Sequence, residues 1–138
     1  MKFSLFLAIC ILGANLSFAQ AQDRKGKEIN FLTEKLSLNE RQINKLTRVI
    51  QRKHDDFQVI QKYKSKNPKK YATKLKALYE GTMVSIKLIL ENDAQREAYR
   101  QYQIDLRKQK GKMMKNYQKN GLSPEDASNK YYSEVIFS

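Results

Sequence analysis

An all-α fold follows from three observations. Apolar side chains recur at three- and four-residue spacing over several stretches, polar capping signatures stand where those stretches begin, and no alternating strand pattern appears before the last few residues. Each element can be justified in turn along the chain.

The N-terminus has a different character. Met1 and Lys2 precede an apolar run from Phe3 to about Leu16, and the small-residue stretch Ser17-Phe18-Ala19-Gln20-Ala21 follows. This is the pattern of a secretory signal peptide. Cleavage after Ala19 or after Ala21 satisfies the need for small side chains, and Ala19 is preferred. A membrane anchor would need roughly 20 strongly apolar residues, whereas this run is shorter and broken by Ser4, Gly13 and Asn15. Cys10 follows the bulky Ile9, so it does not read as a lipidation site. The expectation is export to the periplasm as a chain without an anchor.

Removing residues 1–19 takes away the only cysteine, so no intramolecular disulfide is expected even in an oxidising compartment. It also takes Lys2, so the net charge of +13 on all 138 residues becomes +12. That charge implies anionic partners, and export argues against nucleic acid. A chain of this size forms one domain with a modest core, and dimerisation would help it.

Gln20–Lys27 is polar and reads as a tail, and Ile29, Leu32 and Leu36 predict a short first helix. Ser37-Leu38-Asn39 interrupts it. Asn39-Glu40-Arg41-Gln42 has the form of a capping box and opens a second helix to about Lys64. Its stripe is Ile43, Leu46, Ile50, Phe57 and Ile60, flanked by Val49 and Val59. Asn67-Pro68 opens a third helix to about Leu90, because Pro68 suits a first helical position and disfavours helix at Asn67. Tyr71, Leu75, Leu78, Thr82, Ile86 and Ile89 form its buried stripe, and Val84, Leu88 and Leu90 widen it.

Asn92-Asp93-Ala94-Gln95 repeats the capping pattern before a fourth helix carrying Tyr99, Tyr102, Leu106, Met113 and Tyr117, which Asn120-Gly121 ends. Ser123-Pro124-Glu125-Asp126 starts a short fifth helix to about Tyr132. The C-terminal residues 133–138, with Val135-Ile136-Phe137, form an apolar tail that either docks on the body or stays exposed. The helical domain thus spans residues 28–132.

The two capping patterns lie 53 residues apart, and that offset sets Leu46 on Tyr99, Val49 on Tyr102, Lys53 on Leu106 and Ile60 on Met113. Ile43 on Arg96 and Phe57 on Lys110 do not match. A degenerate internal repeat and two independently capped amphipathic helices both fit.

Leu38-Asn39-Glu40-Arg41-Gln42 resembles the Leu-Thr-x-x-Gln motif that occurs twice in the Spy/CpxP group of periplasmic proteins, and Asn92-Asp93-Ala94-Gln95 resembles its second copy. The resemblance covers roughly Ile29 to Gln118. Asn39 and Asn92 stand where threonine is usual, and Glu91 stands where the second leucine belongs, with Leu90 one position early. It implies a helical hairpin or cradle, an antiparallel homodimer, that binds unfolded or partly folded envelope proteins without ATP and dampens envelope stress. The motif residues are Leu38, Asn39, Gln42, Leu90, Asn92 and Gln95.

Two basic segments are candidate client-binding surfaces. Lys62–Lys76 has seven lysines and no acid, and Arg107–Lys119 has six basic residues and no acid. Long-range attraction by such charge, followed by loose apolar contact, suits client capture. Lys69, Lys70, Lys112 and Lys115 are the charged candidates, and Tyr63 and Met114 are the apolar ones, since methionine adapts to varied surfaces. Met113 lies on the predicted buried stripe.

No catalytic residue, metal ligand or cofactor is expected. His54, the single histidine, falls beside Ile50 and Phe57 and reads as a histidine at the core edge, although Asp55 and Asp56 are adjacent. There is no Gly-rich phosphate loop and no Ser-His-Asp spacing to argue from. The alternatives to a chaperone are an envelope-stress regulatory or structural protein with a single partner, and a weak peripheral binder of anionic lipid or lipopolysaccharide.

Overall fold

The four capping residues that the sequence marks as helix starts all stand at helix starts. Asn39, Asn67, Asn92 and Ser123 each accept from the backbone N–H three residues on, at 3.0, 3.0, 2.8 and 3.1 Å. Such caps satisfy amides that have no partner within the helix and stabilise by about 1 kcal/mol each. Pro68 and Pro124 occupy first-turn positions, where a missing N–H costs nothing. The computed structural model describes residues 3–136, with side chains from Ala19 onward. Met1, Lys2, Phe137 and Ser138, and the side chains of residues 3–18 with Cys10 among them, lie outside that description.

Six helices and no strand occur among the described residues: α1 (Phe3–Leu36), α2 (Glu40–Gln61), α3 (Tyr63–Lys66), α4 (Pro68–Lys87), α5 (Asp93–Lys119) and α6 (Pro124–Val135). The fold is all-α. None of the described helices is long and apolar enough to cross a membrane. Helix α2 packs against α1 and α4, α5 packs against α1 and α6, and α6 also touches α4.

The apolar stripes sort into two cores. Leu46 and Ile50 of α2 join Leu32 and Leu36 of α1, Ile86 of α4, the connecting Leu38, Ile89 and Leu90, and Tyr99 of α5. Phe57 and Ile60 of α2 join Tyr71 and Leu75 of α4, Tyr117 of α5, and Ala127, Tyr131 and Tyr132 of α6, with Ile136 just beyond it. Thus α2 and α4 run in opposite senses through both cores, α1 serves the first and α6 the second. Leu46, Ile50 and Leu75 have no exposed surface, and truncating such a side chain to alanine costs about 2–5 kcal/mol.

Two helix ends close by the same device. Leu38 N–H donates to Thr33 O at 3.0 Å and Ser37 N–H to Glu34 O at 3.3 Å; Leu122 N–H donates to Tyr117 O at 3.1 Å and Gly121 N–H to Gln118 O at 3.0 Å. Each is a Schellman closure with a left-handed residue at its turn. Gly121 (φ 91°) takes that conformation freely, whereas Ser37 (φ 49°) holds it against its own Cβ.

Several boundaries differ from expectation. Gln20–Lys27 is helical and continuous with the first helix instead of forming a tail, held by Lys25 Nζ donating to Gln51 Oε1 at 2.9 Å and by the adjacent Glu28 accepting from Lys53 of α2. Helix α2 ends at Gln61, and residues up to Lys66 form the separate turn of α3. Helix α4 ends at Lys87, which leaves Leu88 exposed and turns Ile89 and Leu90 inward. Val59 and Val84 also face solvent, so the stripe is narrower than their apolarity suggests. At the other end, α6 runs three residues past Tyr132 and Ile136 docks in the second core, only 2% exposed.

Candidate functional site

The six motif residues meet at one end of the molecule. Leu38 and Leu90 are buried in the first core, Asn39 and Asn92 cap α2 and α5, and Gln42 and Gln95 face each other with almost no exposure. Gln42 Nε2 donates to Gln95 Oε1 and Gln95 Nε2 donates to Gln42 Oε1, both at 2.9 Å. The remaining N–H of Gln42 goes to Ile89 O at 2.9 Å and that of Gln95 to Ser37 O at 3.2 Å. Each oxygen also accepts a backbone N–H, from Asn39 at 3.0 Å and from Glu91 at 2.9 Å. These backbone partners set the orientation of both amides, since a flip would oppose oxygen to oxygen and N–H to N–H. All hydrogen-bonding capacity is used internally, so this is a clamp and offers no group to a ligand.

The pairing relates residues 53 apart, the offset at which the capping patterns recur. The copies are unequal in one respect. The first is a full capping box, whereas Gln95 reaches Glu91 instead of Asn92, because one residue more separates the buried leucine from the cap. On the outer surface, Arg41 pairs with Glu91 across the same junction.

Midway along α2, Lys53 is buried and places Nζ 2.6 Å from both oxygens of Glu28 on α1. His54 is also buried, with Nε2 at 3.7 Å from Glu28 Oε2. Burial pushes the Glu28 carboxyl up, yet the His54 contact and the charge and hydrogen bonds of Lys53 outweigh it and hold the group below the usual carboxylate range. His54 is thus a core-edge residue turned toward a carboxylate. Among the described residues no three His, Cys, Asp or Glu side chains converge to hold a metal ion.

Between the two cores the interior is not filled. A cavity of about 400 Å³ is bounded by α1, α2, α4, α5 and the end of α6, with Leu32, Ile86, Tyr102, Leu106 and Ile136 in its walls. A second space of about 430 Å³ opens between α4 and α5 and shares Tyr79, Met83 and Leu106 with the first. Burial pushes the Tyr102 hydroxyl up to about 12, with Tyr79 and Glu28 adding to the effect, so that phenol stays neutral at ordinary pH.

The opposite end carries the basic segments. Tyr63, Met113 and Met114 are partly buried against the second core. The ammonium groups of Lys62, Lys70 and Lys74 sit 5.3, 4.6 and 5.6 Å from the Tyr63 ring centre. Lys69, Lys70, Lys112 and Lys115 are exposed. The expected client-binding side chains therefore cluster around one core, although Glu125, Asp126 and Glu134 of α6 stand at the same end. Sequence reasoning missed the Glu28–Lys53 pair and the cavity. Lys53 carried a signal, because it lies three residues after Ile50 and four before Phe57 on the apolar stripe. The cavity carried none, since Leu106 belongs to a regular stripe whether its face is filled or empty. Searches of family models, curated proteins and solved structures find no match to this chain.

Proposed function

We propose that this chain is an exported, periplasmic, ATP-independent chaperone that binds unfolded or aggregation-prone envelope proteins, acts as a homodimer, and performs no chemical step. The observation that supports it is the convergence on one core of two lysine-rich segments distant in sequence, interleaved with the partly exposed Tyr63, Met113 and Met114. Charge of one sign extends capture beyond contact, and cations lying over an aromatic ring keep that apolar surface hydrated and loosely covered. Clients would be attracted first and held weakly second.

The two contributions separate experimentally. Reversing charge at Lys69, Lys70, Lys112 and Lys115 should slow client association and flatten its salt dependence, because screening acts over about 8–10 Å at ordinary ionic strength. Replacing Tyr63 and Met114 by Ser should speed release. Both sets should weaken suppression of aggregation for two unrelated clients without ATP. If the unaltered protein in stoichiometric excess leaves both clients aggregating at low salt, the proposal fails in favour of a single envelope partner. Salt-sensitive liposome binding without suppression favours an anionic surface instead.

A further inference from the structure

The two spaces between the cores are partly open to solvent and mostly apolar, and they adjoin, sharing Tyr79, Met83 and Leu106 in their walls. Each is within the range of small-molecule sites, roughly 300–1,000 Å³. Their mouths carry cations. Arg24 and Lys27 of α1 stand at one, and Lys87, Arg107 and Lys110 of α4 and α5 at the other. The acids there are already engaged: Glu28 by Lys53, and Glu80 by Lys76 at 3.9 Å. Asp23 pairs with Lys27 at 2.8 Å, which leaves the exposed Arg24 as the net charge of the first mouth. This site is separate from the basic end on which the client-binding reading rests.

We infer that these adjoining spaces bind a single-chain lipid anion, with the acyl chain along the shared Met83 and Leu106 and the head group held at a cationic mouth. The apolar walls account for the chain, and mouths of one sign account for the anion. A neutral chain would gain nothing from those cations, and the two chains of a phospholipid together exceed a space of about 400 Å³. Two sources share this chemistry, a free fatty acid and a single-chain phospholipid.

The test uses the purified protein with isotope-labelled methionine methyl groups, titrated with sodium hexadecanoate, hexadecyl phosphate and hexadecanol, each below its micelle-forming concentration. The Met83 methyl should shift and saturate at one equivalent, with Met113 and Met114 moving far less. Hexadecanol should bind at least tenfold more weakly than either anion. Tighter binding of the carboxylate assigns the site to free fatty acid, and tighter binding of the phosphate assigns it to a lysolipid. Leu106→Trp, which fills the shared wall, should weaken both anions at least tenfold, and R24E with R107E should abolish the preference over the alcohol. Should Leu106→Trp fail to fold by circular dichroism, the methyl titration of the unaltered protein decides alone. No saturable change at Met83, or a change confined to Met113 and Met114, overturns the inference, and equal affinity for the alcohol overturns its anionic part.

Discussion

The two ends of the molecule are held by different physics. At the first, helix ends converge on an aliphatic core, and two buried glutamines complete each other's hydrogen bonds with short, directional contacts between neutral groups. At the second, four tyrosines build the core and lysines lie over the rings of Tyr117, Tyr131 and Tyr132, with Lys110 donating to Tyr132 Oη at 2.8 Å and Tyr117 bonded to Glu134. Neutral buried bonds are indifferent to salt and intolerant of displacement. Exposed cations over aromatic faces are screened by salt and tolerate rearrangement. The difference separates a fixed junction, which sets the geometry of the helices, from an adaptable end suited to contact with other molecules.

Breaking the junction should have the largest effect. Gln42→Ala strips one hydrogen bond from each end of the Gln95 amide, which keeps Glu91 N–H and Ser37 O, and takes the side-chain partner from the Asn39 N–H and the Ile89 carbonyl; at about 1–3 kcal/mol for each buried unsatisfied group the total loss is about 4 kcal/mol. Urea denaturation measures it. Gln42→Leu combined with Gln95→Leu should cost less than the two single changes added, by about 1–3 kcal/mol of coupling. Simple additivity would show that the amides do not act as a pair.

A smaller loss is expected midway between the ends. Glu28→Gln leaves Lys53 buried without its counter-charge, and the part-buried setting puts the cost at about 2–3 kcal/mol at neutral pH. Because the folded protein holds this carboxyl below its ordinary value of 4.5, its stabilisation is complete above that value and fades as pH falls through the depressed one. The stability gap between the unaltered protein and Glu28→Gln should therefore narrow as the pH is lowered. A gap independent of pH would locate the effect in packing rather than charge.

The smallest effects sharpen the comparison, because the same helix closure occurs with Ser37 at one end and Gly121 at the other. A non-glycine residue in the left-handed region costs about 1 kcal/mol. Ser37→Gly should raise stability by roughly that amount, since its side chain is exposed, and Gly121→Ala should lower it by a similar amount. A Cβ at Gly121 meets nothing within 4 Å, so the loss there is conformational. Thermal melts followed by circular dichroism check both. A loss on Ser37→Gly would mean that the serine side chain itself supports the junction.

Sequence alone determined four of the helix starts and most of the core. Caps at Asn39, Asn67, Asn92 and Ser123 bond within their own first turn, and the stripes through Leu46, Ile50, Leu75 and Ile86 follow from helical periodicity, so both are local properties. The tertiary structure decided what those faces meet. Whether Gln42 caps its own helix only or also clasps Gln95, whether Lys53 reaches Glu28, and whether polar Gln20–Lys27 frays or joins α1 all depend on contacts between segments far apart in the chain. The cavity is the plainest case. Leu106 has the same periodic signature in a filled core as in the wall of an empty one, because periodicity specifies the direction of a side chain and says nothing of its distance from the facing helix.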